Sequence, residues 1–132
     1  MTRLMLSGGL AMTLMANALA ATSTCPSIQD IRQTALAGGG FRYETSQPDG
    51  GLWVGENPLA AESYLADATF HDARYDAQSK AVTCTYQRPM SNDASFSVTL
   101  KPVSAWNLTP IGEWKGTYCE ALEISRCSFT HQ

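Results

Sequence analysis

Histidine is scarce in this chain: His71 and His131 are the only two in 132 residues. A Ser-His-Asp site would have to use His71. Its neighbour Asp72 falls on the opposite face of a regular strand and is not placed to orient it. No Gly-x-Ser-x-Gly elbow is present. Cys-x-x-Cys is absent too, and no cysteine has a neighbouring histidine, so neither a zinc site nor haem attachment is expected. No metal and no cofactor follow from the motifs. Basic residues are few, nine against twelve acidic ones. That balance argues against nucleic acid and against an anionic membrane surface, and it suits a cationic protein partner. Internal repeats, low-complexity segments and linkers are also missing.

The one long apolar run lies at the start. Arg3 precedes it and Ala18-Leu19-Ala20 ends it, the layout of a secretory signal peptide. Ser7, Gly8, Gly9, Thr13 and Asn17 interrupt the run, and no basic cluster follows, which disfavours a membrane anchor. Thr22-Ser23-Thr24 before Cys25 lacks the pattern of a lipidated cysteine. Cleavage after Ala20 is expected, with no stable anchor left and a periplasmic or secreted location. Residues 21–132 then form a single exported domain with eight basic and twelve acidic residues, about −4 in charge. A domain of this size buries roughly two thirds of its unfolded surface, enough for one thin core.

Four cysteines, Cys25, Cys84, Cys119 and Cys127, all fall within that domain. In an oxidising compartment two disulfides are the expected outcome. Of three possible pairings, Cys25–Cys84 with Cys119–Cys127 is favoured. The last two cysteines can face each other across a short hairpin, and the first pair ties the N-terminus to a central strand.

Residues 25–40, CPSIQDIRQTALAGGG, predict a helix. Pro26 suits its first position, Ile28, Ile31, Ala35 and Leu36 form one stripe, and Gly38-Gly39-Gly40 end it. Glycines after a helix do not cradle phosphate. The remainder reads as strands. Residues 41–46, 81–88 and 94–103 alternate strictly, and 68–75 alternates less well because of Asp72 and Arg74. Residues 47–50, QPDG, predict a turn, and 57–67 a helical turn capped by Asn57 with Pro58 next. Short strands are expected around 116–120 and 126–130. The predicted fold class is α+β: an N-terminal helix packed on an antiparallel sheet of five to seven strands, tied by two disulfides.

Aromatic residues are the stronger functional lead. Trp53, Trp106 and Trp114 stand beside five tyrosines. Core packing accounts for Trp114 and one other. Leu52 and Val54 share a parity, so if they face the core Trp53 faces out, beside Glu56 and Asn57. An outward tryptophan there would stack on a sugar or wedge into a partner. Trp53, Glu56 and Asn57 are therefore the candidate binding residues. The expected function is a non-enzymatic periplasmic or secreted binding protein, an inhibitor or immunity factor acting on a protein or glycan. The alternative is a small secreted effector or hydrolase using acidic residues near Glu56, with Glu62, Asp67 and Asp72 as further carboxylates. Twelve acidic residues make some pairing of that kind a matter of chance.

Several short motifs carry a resemblance: Cys25-Pro26, Trp53 to Pro58, Ser63 to Leu65, Cys84 with Tyr86, Trp114 before Cys119, and Cys127 with Phe129. Together they resemble a family of small exported Gram-negative proteins catalogued as a domain of unknown function. The resemblance implies export and a cysteine-tied domain, and it brings no catalytic residue. In size and charge the chain is also similar to periplasmic lysozyme inhibitors and immunity proteins. The inhibitors' Ser-Gly-x-Ala/Ser-Tyr loop is missing.

Overall fold

The computed structural model describes residues 21–46, 51–89, 94–101, 107–108 and 112–131. The expected leader (1–20), the QPDG turn (47–50) and Trp106 lie outside the described residues. The chain forms β1 (Ala21–Ser23), β2 (Arg32–Ala35), β3 (Phe41–Ser46), β4 (Leu52–Asn57), a one-turn helix α1 (Tyr64–Asp67), β5 (Thr69–Asp76), β6 (Ala81–Gln87), β7 (Ala94–Leu100), β8 (Asn107–Leu108), β9 (Trp114–Lys115), β10 (Tyr118–Glu120) and β11 (Phe129–His131). Single 3-10 turns occupy Ile28–Asp30 and Ile124–Cys127. Eight strands make one sheet in the order β2-β3-β4-β7-β6-β5-β10-β9, and β1-β11-β8 make a second. The described pairings are antiparallel.

Alternation explains the large sheet. In β6, Val82, Cys84 and Tyr86 are buried while Thr83 and Thr85 are half-exposed. Across the strand pair, Thr83 bonds Thr99 (3.0 Å) and Thr85 bonds Ser97 (3.2 Å), so the outer face is a lattice of hydroxyls. The inner face carries an aromatic row. Tyr43 stacks on Phe96 with centroids 4.0 Å apart, Phe96 stacks on Tyr86 at 5.0 Å, and Phe70 meets Tyr86 edge-on at 5.9 Å. β4 runs between β3 and β7, and its residue opposite Tyr43 is Gly55. A β-carbon there would lie 1.7 Å from the Ser97 carbonyl oxygen, so only glycine lets the two strands approach.

The predicted N-terminal helix is not formed. Among the described residues no helix exceeds four residues, and the large sheet has eight strands rather than five to seven. The class is antiparallel β. Residues 32–35 instead pair with β3, from Arg32↔Glu44 to Ala35↔Phe41. The glycines close this hairpin: Gly39 N–H donates to Leu36 O and Leu36 N–H to Gly40 O, with φ of 109° and 79° at Gly39 and Gly40. Left-handed glycines serve a helix C-cap and a hairpin turn alike, so the local signal does not separate them. Long-range ties decide the matter. Cys25 is bonded to Cys84, and the Tyr86 hydroxyl donates to Pro26 O at 2.7 Å, which holds the chain extended just where the helix would start. An isolated helix of three turns is marginal in water and loses to such constraints.

Both favoured disulfides are present, Cys25–Cys84 and Cys119–Cys127, and no described cysteine is free. They fit an oxidising extracellular or periplasmic location. Helical structure within 57–67 is confined to α1, whose N-cap position is Ser63 rather than Asn57.

Candidate functional site

Trp53 does not face outward. It is fully buried, while Leu52 is 47% exposed and Val54 half-buried, so the expected parity is reversed. Its ring meets Phe129 of β11 edge-on at 6.4 Å, joining the two sheets. The reversal follows from register: Trp53 lies opposite Thr45 and Leu100, both inward positions. A buried indole offers no stacking surface. Asn57 acts within the fold, donating to Ser95 O (2.7 Å) and accepting from Leu59 N–H (2.9 Å). Glu56 is exposed and accepts from Arg42 at 3.2 Å, and the same guanidinium donates to Glu44 at 2.8 Å. These two bonds, that to Glu44 first, raise the Arg42 pKa. The three predicted residues share one strand but do not converge on a common site.

A different cluster forms on β5, β10 and β9. Along β5, Phe70 pairs with Tyr86 while Asp72 pairs with Thr85, so His71 is the extra residue of a β-bulge. A bulge breaks the alternation and turns both residues to one side. The expectation that Asp72 cannot orient His71 is thereby overturned: His71 Nδ1 lies 2.6 Å from Asp72 Oδ2. Asp72 is 4% exposed, and its Oδ1 has no hydrogen-bond partner among the described residues. Arg74 Nη2 stands 3.9 Å from that oxygen. On the other side of the ring, His71 Nε2 is 3.5 Å from Glu120 Oε2. Glu120 lies directly across from Asp72 on β10. Tyr118 donates its hydroxyl to Glu120 Oε1 at 3.1 Å. Burial, then the charge of Asp72 and the bond to Glu120, raise the Tyr118 pKa and keep the phenol a donor.

Beside this cluster opens a cleft of about 360 Å³ lined by Glu113, Trp114, Lys115, Tyr118 and Glu120. The β9–β10 hairpin supplies its walls, turning through Gly116 at φ 65°. Trp114 is half-buried and held in place by its indole N–H, which donates to Ser128 O at 2.8 Å. The Cys119–Cys127 bridge secures the same hairpin to the 3-10 turn behind it. Arg126 pairs with Glu113 at 3.1 Å, and the Arg74 guanidinium lies over the Tyr118 ring at 5.4 Å. The cleft is therefore a fixed aromatic surface with acceptors, an ammonium and few uncompensated charges.

A regular β5 would part His71 from Asp72, and the bulge is what brings them together. A signal was present. The residues of β5 packed on the core are Phe70, Ala73 and Tyr75. The first step is three residues and the second is two, which is the mark of one inserted residue. Trp114 and Tyr118 carried no local sign of lining a cleft, because that depends on where β10 docks. Compared with known proteins, the chain matches no family model, no curated protein and no solved structure.

Proposed function

We propose that this chain is a non-enzymatic periplasmic or secreted binding protein whose Trp114–Tyr118 cleft takes a saccharide. The observation that carries the reading is the immobilised Trp114 ring at the wall of an open, polar-rimmed cleft. A sugar presents C–H bonds on one face, suited to an aromatic surface, and hydroxyls at its edge. Glu113 and Glu120 accept from such hydroxyls, and Lys115 donates. Few polar groups on an aromatic wall are the usual make-up of a small-ligand site. A basic side chain from a protein partner fits less well, since Lys115 lines the cleft and Arg126 already neutralises Glu113. Export is supported by the leader-like residues 1–20 and by the two disulfides.

A hydrolytic role finds less support. Glu56 is engaged by Arg42 on an open strand. His71 is oriented as a general base would be, but among the described residues no hydroxyl or thiol is hydrogen-bonded to it. A glycan array tests the proposal. The wild type should bind a defined set of saccharides, Tyr118→Ala should lose them, and Arg42→Ala should keep them. No saccharide bound by the wild type, or equal binding by Tyr118→Ala, would overturn it.

A further inference from the structure

We infer that His71 Nε2 and Glu120 Oε2 together form a binding site for a divalent transition-metal ion, zinc or copper by donor chemistry, with water completing the coordination. The cysteine spacing excluded a thiolate site; this one uses no cysteine. Asp72 fixes the protonation of the ring. A carboxylate oxygen only accepts, so Nδ1 carries the proton in the 2.6 Å bond, and in the neutral ring the lone pair is on Nε2, on the side of Glu120. This carboxylate–histidine arrangement is the one that supports metal-bound imidazoles. Glu120 has an equivalent support, because Tyr118 holds its Oε1 at 3.1 Å and leaves Oε2 toward His71.

The spacing suits a shared ion. Zinc takes nitrogen and oxygen donors at about 2.0–2.2 Å in tetrahedral geometry, which places two ligand atoms roughly 3.4 Å apart. His71 Nε2 and Glu120 Oε2 are 3.5 Å apart. At that distance their contact is too long for a good hydrogen bond, so with the ring neutral Nε2 and Oε2 each offer a lone pair to an ion set between them. The side chains are 31% and 59% exposed, so solvent reaches the remaining coordination positions. No group of three or more potential ligands occurs among the described residues. The site is therefore open, unlike a closed structural zinc site.

Asp72 also favours positive charge on the ring it supports. Its carboxylate is buried, and Oδ1 has no hydrogen-bond partner among the described residues. A buried anion without full compensation is costly. An ion on Nε2 makes Nδ1–H a stronger donor and so strengthens its bond to Asp72 Oδ2, while Oδ1 faces Arg74 Nη2 at 3.9 Å. An imidazole and a carboxylate also select transition metals over magnesium or calcium, which prefer all-oxygen sets.

Zinc titration of the full disulfide-bonded protein by calorimetry, without saccharide, tests this separately from the cleft's ligand. One ion should bind, and a hundredfold excess of magnesium should not displace it. His71→Ala should abolish binding, and Glu120→Gln should weaken it at least tenfold. Asp72→Asn should weaken it by about 10–100-fold, the usual effect of losing a supporting carboxylate. Glu120→Gln alters one exposed side chain, so its folding is not at risk. No zinc bound by the wild type, or unchanged affinity in Glu120→Gln or His71→Ala, overturns the inference. The other histidine, His131, is buried against Ser23 and serves as the internal control.

Discussion

The β3–β4–β7 and β5–β10–β9 parts of the large sheet use similar residue types differently. In the first, Tyr43, Trp53, Gly55 and Asn57 are taken up by packing, close backbone approach and turn hydrogen bonds. In the second, Trp114, Tyr118, His71 and Glu120 are held in place by neighbours yet keep a face or a lone pair toward solvent. A tryptophan in a glycine-rich corner is thus structural, while a histidine on an irregular strand is the part with chemistry left over. What separates them is whether the fold consumes the group or only orients it.

Substitutions should divide along the same line. The largest effect is expected at Trp53: truncation to alanine should cost about 3–5 kcal/mol in denaturant unfolding. If Trp53→Ala instead kept full stability and lost saccharide binding, the comparison would be reversed. Removing Cys25–Cys84 should cost roughly 4 kcal/mol, and removing Cys119–Cys127 roughly 2.5 kcal/mol, by loop-closure entropy. The two bridges span 59 and 8 residues. The smaller loss should be accompanied by the larger drop in ligand binding, because the second bridge holds the β9–β10 hairpin.

Gly55→Ala should cost at least about 3 kcal/mol, the upper end of overpacking, because the added carbon meets the Ser97 backbone, with no change at the cleft. The two buried tyrosines of the aromatic row sharpen the picture further. Tyr86→Phe should cost about 1 kcal/mol by removing the bond to Pro26 O. The Tyr43 hydroxyl has no partner among the described residues, so Tyr43→Phe should be neutral or slightly stabilising. Burial, the larger cause, and Tyr64 push the Tyr43 pKa up to about 12. Its folded pKa lies above the unfolded value of about 10. Above about pH 10 the unfolded phenol ionises while the buried one stays protonated, so the domain loses stability as the pH rises from about 10 to about 12. Thermal unfolding between those values should fall more gently in Tyr43→Phe. The smallest effect should come from Arg42→Ala, within about 0.5 kcal/mol, since exposed ion pairs contribute little.

Much of the strand content was legible, and the reason is physical. Phe96, Val98 and Leu100 alternate with Ser97 and Thr99 because one face is buried and the other wet, and that period is local. The disulfide pairing was legible too, because two cysteines eight residues apart have few other ways to meet. The segment 25–40 was misread because glycines at positive φ end a helix and turn a hairpin equally well. Its fate depends on Cys84 and Tyr86, far along the chain. Trp53 was misread because Leu52 and Val54 are apolar but lie on the half-covered face. The bulge at His71 left only the three-residue step from Phe70 to Ala73. The candidate site, which rests on that step and on the docking of β10, was the least legible part.

The bulge places His71 Nδ1 on Asp72 and turns Nε2 toward Glu120. Nitrogen-15 spectra of the His71 ring, taken at a pH where the imidazole is neutral, test it most directly. The ring should be protonated on Nδ1, with the Nε2-protonated form gaining population in Asp72→Asn. A ring protonated on Nε2, or one indifferent to Asp72→Asn, would contradict it.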